Sequence, residues 1–468
     1  MNIKLRFLGA ARQVTGSKYL LEVDQRRILI DCGMYQEWKL KTRNWQPFAV
    51  PLDSIDAVLL THAHLDHSGW LPRAVNQGLK ARIYCTDATA ALAQIVMLDS
   101  AKLQVEDTEF KKGRHQREGR NVDHPVVPLY DEEDVKQTLP LFQRVGYATP
   151  VEVLPGVRAT FYEAGHILGS TMIKVEVTSG SEQRTLLFSG DVGRWDKPII
   201  NDPTTFEQAD YVIVESTYGD RTHGDSKDLL DQFAGVINDT VKRGGNVVIP
   251  AFAIGRTQEL LYELNELLNH DKIPHLTVFI DSPMAIRVND VFTSHAELFD
   301  DETKKLLAEH LSPFEIPTLK VCRTAGESKA INYIRGTAIV IAGAGMCTGG
   351  RIKHHLEHNI TRPESTILFV GFQAADTLGG QIQAGAPVVR LHGQEFRVRA
   401  RIETIHGFSA HADRDELMRW LGALKQPPRQ LFVTHGEDKT AQSFAAYVAE
   451  KKGWQTLAPT LDQTVVLN

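Results

Sequence analysis

The residues best equipped for chemistry in this chain stand almost side by side. Thr61-His62-Ala63-His64-Leu65-Asp66-His67-Ser68-Gly69 packs three imidazoles and a carboxylate into six positions, directly after the apolar run Ala57 to Leu60. Imidazole nitrogen and carboxylate oxygen are the donors zinc takes at short range. A loop leaving a strand can turn alternate side chains toward different points, so His62 and His64 can serve one ion and Asp66 and His67 a second. Three further metal-capable residues end apolar runs next to glycine. They are His166 in Ala-Gly-His-Ile-Leu-Gly-Ser, Asp191 in Phe-Ser-Gly-Asp-Val-Gly, and His435 in Val-Thr-His-Gly-Glu. Each alone reads as a capping or turn residue. Together they would complete a site for two metals.

These residues need a scaffold of strands to present them. The first 60 residues predict strands at Ile3 to Leu8, Lys18 to Val23, Arg27 to Asp31 and Ala57 to Thr61, broken by glycine or charged turns. Pro72 to Gly78 and Asp87 to Leu98 have helical spacing. Residues 99 to 138 are strongly charged and are expected in helices and loops flanking the site. Strands are expected again at Val157 to Ala164, Thr171 to Val177 and Arg184 to Ser189. From Tyr211 the pattern becomes strand–helix alternation, which implies a parallel sheet. Its strands are Tyr211 to Glu215, Asn246 to Pro250, Thr277 to Asp281 and Ala338 to Ala342, and its helices Leu229 to Lys242 and Arg256 to Leu268. The final stretch returns to a helix at Asp413 to Leu424 and a strand at Gln430 to Thr434.

Composition narrows the class. A chain of 468 residues has room for two or three domains. Its net charge of -6 argues mildly against a basic coat protein but leaves room for a local basic cleft. Cys32, Cys85, Cys322 and Cys347 are widely spaced, with no C-x-x-C pair, which suits a reducing compartment. No signal peptide core and no run of 18 apolar residues is present. The expectation is a cytoplasmic protein with no membrane segment. The sequence leaves the oligomeric state open and admits a homodimer.

His62-x-His64-x-Asp66-His67, followed by His166, Asp191 and His435, resembles the metallo-β-lactamase superfamily. Asp31, in Leu-Ile-Asp-Cys-Gly, matches that family's first motif, where an outer carboxylate orients the ligand loop. The resemblance implies one metal on His62, His64, His166 and Asp191, and a second on Asp66, His67, Asp191 and His435. Asp191 would bridge, giving two Zn2+ per chain. The long interval from Asp191 to His435 resembles the β-CASP branch, in which an α/β domain is inserted into the hydrolase core. That branch's extra motifs match Glu215 in Val-Glu-Ser-Thr-Tyr-Gly, His411 in Phe-Ser-Ala-His-Ala-Asp, and His435. In the family the last position tends to be histidine in RNA-directed members and valine in DNA-directed ones. The chain is most similar to the branch of the pre-mRNA cleavage and polyadenylation endonuclease subunit and its prokaryotic relatives. The N-terminal KH module of many archaeal members and the long C-terminal extension of eukaryotic subunits are not expected in it.

The implied fold is α/β: a metallo-β-lactamase αββα sandwich with an inserted α/β β-CASP domain. Its bounds would be 1–218 for the first part of the hydrolase domain, 219–402 for the insertion and 403–468 for the return. The implied activity is a zinc-dependent ribonuclease, endonuclease or 5′-exonuclease, cutting single-stranded RNA in processing or decay by in-line attack of a bridging hydroxide. Asp66, Glu215 and His411 would be catalytic, with His411 as general acid held charged by Glu215. Ser282, Gly343, Gly345, Ser409 and Ala410 are candidate donors to RNA phosphates; plain turns are the other reading. Lys320, Arg323, Lys329, Arg335, Arg351 and Lys353 form one basic group, and Arg390, Arg397, Arg399 and Arg401 another. They would track phosphates on a cleft wall or form a solvated face. A small-molecule hydrolase would share the metal ligands without needing Glu215, His411 or the insertion. A DNA nuclease is the other competing class, disfavoured by His435.

Overall fold

The computed structural model describes residues 2–37, 39–118, 126–223, 229–334, 336–371, 373–374 and 377–468. Contacts divide the chain into two compact units. The first comprises Met1–Asp196, Asp202–Thr222 and His411–Asn468; the second, Lys197–Asn201 and His223–Ala410.

The first unit is built on two seven-stranded sheets. One runs Thr464–Leu467, Ile3–Phe7, Tyr19–Val23, Arg26–Ile30, Ala57–Leu59, Arg82–Cys85, Phe142–Arg144. The other runs Thr456–Leu457, Gln430–Val433, Tyr211–Val214, Glu182–Phe188, Thr171–Ser179, Val157–Glu163, Val151–Leu154. Alternating residues from both, including Leu5, Phe7, Leu21, Ile30, Phe161, Val175, Phe188 and Phe432, close into one buried core. Phe7 meets Phe432 at 5.2 Å, and Tyr19 meets Phe188 at 6.1 Å between ring centroids, so aromatic contacts tie the sheets together. The outer face of the second sheet (Leu187, Val212, Leu431, Val433) is covered by helices Arg414–Gly422 and Asp438–Lys452 through Leu417, Trp420, Phe444 and Val448. The unit is thus an αββα sandwich. Most strands that lead into site residues are central ones whose carboxyl ends open onto loops.

The helix expected at Asp87 to Leu98 runs on to Glu118. Its polar extension has no helix breaker before Gly113. Lys102 faces Glu106 at 4.0 Å and Lys111 faces Asp107 at 2.6 Å, spacings that support a solvated helix. Among the described residues no helix is long and apolar enough to cross a membrane.

The second unit is a doubly wound parallel sheet in the order Leu319–Val321, Thr277–Asp281, Ala338–Ala342, Val247–Pro250, Thr366–Phe369, Arg401–Thr404. Val388–Leu391 and Gln394–Arg397 form a separate hairpin. Strands Thr277–Asp281 and Ala338–Ala342 are neighbours, so Ser282 and Gly343 leave the sheet side by side at its carboxyl edge, the usual ligand-facing edge of such a sheet.

Phe161 is fully buried between the two sheets of the first unit. Phe161→Ala should therefore cost about 3–5 kcal/mol of stability. Urea denaturation of the full chain, followed by far-UV circular dichroism, reads that loss as a lowered midpoint.

Candidate metal centre

Five imidazoles and two carboxylates from separate strand ends meet inside the first unit. Strand Ala57–Leu59 leads to His62, His64, Asp66 and His67, the last two on the short helix Leu65–Ser68. Strand Val157–Glu163 leads to His166, Glu182–Phe188 to Asp191, and Gln430–Val433 to His435. The donor atoms of His62, His64, His166 and Asp191 lie within 4.8 Å of one another, as do those of Asp66, His67 and His435.

Two close approaches of backbone hold the ligand loops. Cys32 N–H donates to the His67 carbonyl (2.7 Å) and Met34 N–H to that of Leu65 (2.9 Å), pressing residue 33 against the ligand helix. A Cβ at Gly33 would stand 1.5 Å from the Asp66 carbonyl oxygen, so only glycine fits. On the other side a Cβ at Gly193 would stand 1.7 Å from the Gly165 oxygen, which lets the His166 and Asp191 loops touch.

Ring nitrogens face ring nitrogens. His62 Nε2 is 3.0 Å from His64 Nδ1, His166 Nε2 is 3.2 Å from the same atom, and His67 Nε2 is 3.0 Å from His435 Nε2. Asp191 lies against both groups: Oδ2 is 3.4 Å from His62 and 3.5 Å from His166, and Oδ1 is 3.3 Å from His67 and 3.6 Å from His435. Its Oδ1 is buried yet has no hydrogen-bond donor among the described residues. A buried carboxylate oxygen outside hydrogen-bonding geometry, among ring nitrogens crowded against each other, is the environment a cation relieves. The donor set fits zinc.

Protonation follows position. Burial, then the charge of His67, pushes His62 down to about 3. Burial pushes His64 down to about 4 against Asp66 and Asp191, and burial with His411 holds His166 well below its ordinary value. That trio offers lone pairs at neutral pH. Burial also pulls on His67 and His435, but Asp191 overrides it in both, helped by Asp31 at His67 and Asp66 at His435, and both are raised. Those two must release protons to bind a metal.

Asp31 accepts from the Thr61 amide (2.8 Å) and hydroxyl (2.9 Å) and contacts His67 Nδ1 at 2.7 Å, so His67 turns Nε2 to the centre. Glu215 ends strand Tyr211–Val214, and its Oε1 lies 3.1 Å from His411 Nδ1. The Glu215 carboxylate also accepts from the amides of Val192 and Thr217. Burial lowers His411, but Glu215 and Asp191 raise it to about 9. The His411 ring lies 4.5 Å from that of His166 and keeps 22% of its side chain exposed, beside the metal cluster and open to an incoming group.

Family models match along the chain: a metallo-β-lactamase superfamily domain over residues 20–192, a β-CASP domain over 257–382, and a Zn-dependent metallo-hydrolase RNA specificity domain over 395–459. The chain is 38% identical to Ribonuclease TTHA0252 of Thermus thermophilus over 436 residues, covering 92% of each. The chain belongs to the β-CASP family of metallo-β-lactamase-fold ribonucleases. It is also 30% identical to Transcription termination factor FttA of Methanosarcina mazei over 99% of this chain and 72% of that one. A protein of unknown function from Enterococcus faecalis shares the fold, with a TM-score of 0.55 at 10% identity and full coverage of both chains.

The remaining sequence candidates lie in the second unit, which contains the β-CASP match. Ser282 caps helix Pro283–Ser294, accepting from the Ala285 amide at 3.3 Å. Gly343 lies against the Ser282 hydroxyl, and Gly345 packs on Phe252 while its carbonyl accepts from Gln373 at 2.9 Å. Ser409 and Ala410 also fall in this unit, immediately before His411 in the chain. The basic groups are partly spent on acids. Arg351 donates to Asp281 at 2.6 Å, and the exposed Arg401 pairs with Asp239 and Glu403. Arg335 lies outside the described residues.

Spacing alone does not disclose several positioning groups of this β-CASP protein. Thr61 Oγ1 reaches Asp31 and His62 Nδ1 (3.1 Å), and Thr217 Oγ1 lies 3.2 Å from His435 Nδ1. In the second unit, buried Asp281 also binds His355 Nε2 (2.6 Å) and Ser328 (2.5 Å), fixing the start of the Gly343–Gly350 loop's supporting helix. Thr61→Val keeps the shape and removes the hydroxyl. Zinc affinity measured by chelator competition should fall about 10–100-fold, as is usual when a ligand's orienting partner is lost, with folding intact.

Proposed function

We propose that this protein is a zinc-dependent ribonuclease that hydrolyses phosphodiester bonds of single-stranded RNA, with a role in RNA processing or decay in the cytoplasm. The observation that carries the proposal is the single buried cluster around Asp191 with the His411–Glu215 pair beside it. A small-molecule hydrolase needs the first and has no use for the second.

His62, His64 and His166 would hold one ion and Asp66, His67 and His435 the other, with Asp191 shared. When bound, the two zinc ions supply Lewis acidity to the scissile phosphate and activate the attacking water. The chain's own residues do the rest. Asp31, through His67, and Thr217, through His435, keep each ring's other nitrogen toward the centre. Glu215, itself fixed by two backbone amides, keeps His411 protonated and turned. His411 donates its proton to the departing oxygen, so the leaving group departs neutral rather than as an alkoxide. In the second unit, Ser282, Gly343, Gly345, Ser409 and Ala410 are the proposed contacts to the RNA backbone. Histidine at position 435 favours RNA over DNA. The named activities of the two relatives, ribonuclease and termination factor, agree with a substrate of that class.

Asp66→Ala or His67→Ala should abolish cleavage of an end-labelled single-stranded RNA by the zinc-loaded protein, while circular dichroism stays unchanged. Product lengths from the wild type then separate internal cutting from 5′ trimming; undiminished cleavage by either variant would overturn the mechanism. A second outcome concerns pH. Glu215 raises His411, so Glu215→Gln lowers the pH at which His411 loses its proton. The alkaline limb of kcat against pH should move to lower pH in that variant, and an unmoved limb would remove His411 as the acid.

A further inference from the structure

A second group of donors lies in the β-CASP unit, on its surface. Helix Ile352–Asn359 carries His354, Glu357 and His358 at spacings of three and four residues, which puts them on one face. His355 points the other way, buried against Asp281, so the helix separates a structural histidine from solvent-facing ones. The third partner comes from the hairpin. Leu391 pairs with Gln394, leaving His392 and Gly393 as a two-residue turn, with φ of 48° and 85°. Turns with both central residues at positive φ are normally built from Asn, Asp or Gly, because a longer side chain gains nothing there. His392 occupies the strained position and lays its ring on that of His354, with centroids 4.6 Å apart and planes 19° from parallel. Its Nε2 is 4.0 Å from Glu357 Oε2. The donor atoms of His354, Glu357 and His392 all lie within 4.8 Å of one another.

The geometry points to a further metal site, in which His354, Glu357 and His392 bind one divalent transition ion and fasten the hairpin tip to the helix. Two imidazoles and one carboxylate suit zinc, nickel or copper(II) rather than calcium or magnesium, which take oxygen ligands. His358, one helical turn from His354, or water would complete four-coordination. Burial, then the neighbouring His392, lowers His354 below its ordinary value, so it offers a lone pair near neutral pH. The occupant has structural work to do. The hairpin forms a sheet of only two strands, and such ribbons are marginal alone. It is held from below by Val389 and Leu391 packing with Leu356 and Ile360, while Arg390 and Arg397 face outward. An ion at the tip would lock that ribbon at its free end and fix the direction of its arginines.

The test is a difference measurement on the full chain, so it holds whatever the loading of the cluster around Asp191. Wild type, His354→Ala and His392→Ala are dialysed to equilibrium against the same free zinc and their bound zinc is counted by elemental analysis. Each variant should hold one equivalent less than wild type, with unchanged circular dichroism, since both residues are exposed. Equal counts in all three would overturn the site. Hydrogen exchange at 388–397 gives an independent reading. Zinc should slow it several-fold in wild type and leave it unchanged in His392→Ala, whereas the same slowing in both would rule out the fastening.

Discussion

Everything in the first unit turns on the difficulty of burying Asp191. Its carboxylate is within 3.6 Å of four imidazoles, and one of its oxygens has no donor among the described residues. Such a group is tolerated only where the surroundings are rigid and a cation is expected. The two sheets provide the rigidity. His166 and Asp191 stand three residues beyond the strands that end at Glu163 and Phe188, and His435 two beyond Val433, so each side chain follows closely on a ladder that fixes its backbone. Gly33 and Gly193 then let the loops come closer than any other residue would permit.

How far this is legible in the sequence depends on the distance over which the signal is spread. Residues 62–67 announce themselves because the donors are adjacent. His166, Asp191 and His435 become meaningful once each is seen at the end of an apolar run beside glycine. Glu215 and His411 carry no such mark and are found through resemblance alone. Thr61 and Thr217 are invisible: a threonine next to a ligand has no characteristic spacing, and its role exists only when two loops meet. The fold is read similarly. Long alternating strands such as Val157–Glu163 and Thr171–Ser179 are plain, whereas the short strands Thr366–Phe369 and Arg401–Thr404 acquire their identity from their neighbours in the sheet.

Charge is the least transferable reading. A run of basic residues suggests a phosphate track, yet Arg351 is committed to Asp281, 70 positions earlier, and Arg401 to Asp239, 162 positions earlier. Partners so remote cannot be inferred from local composition. Arg390 and Arg397, on the exposed face of the two-stranded hairpin, have no ion pair among the described residues, and Arg390 donates to the Gly393 carbonyl at 3.1 Å. In the second unit, Asp281 does for the loop after strand Ala338–Ala342 what Asp31 does for the histidine loop. Each is a buried acid at a strand end that collects donors from segments the sheet has brought near.

The chain order of the ligands has a consequence during synthesis. Asp191 and Glu215 precede the inserted unit, and His411 and His435 follow it. His435 reaches the cluster only when strand Gln430–Val433 pairs with Tyr211–Val214, and Thr464–Leu467 must still zip against Ile3–Phe7. A nascent chain on the ribosome therefore displays the His62–His67 loop long before it owns a complete site. Assembly of the cluster thus waits on the pairing of strands that the whole inserted unit separates in the chain.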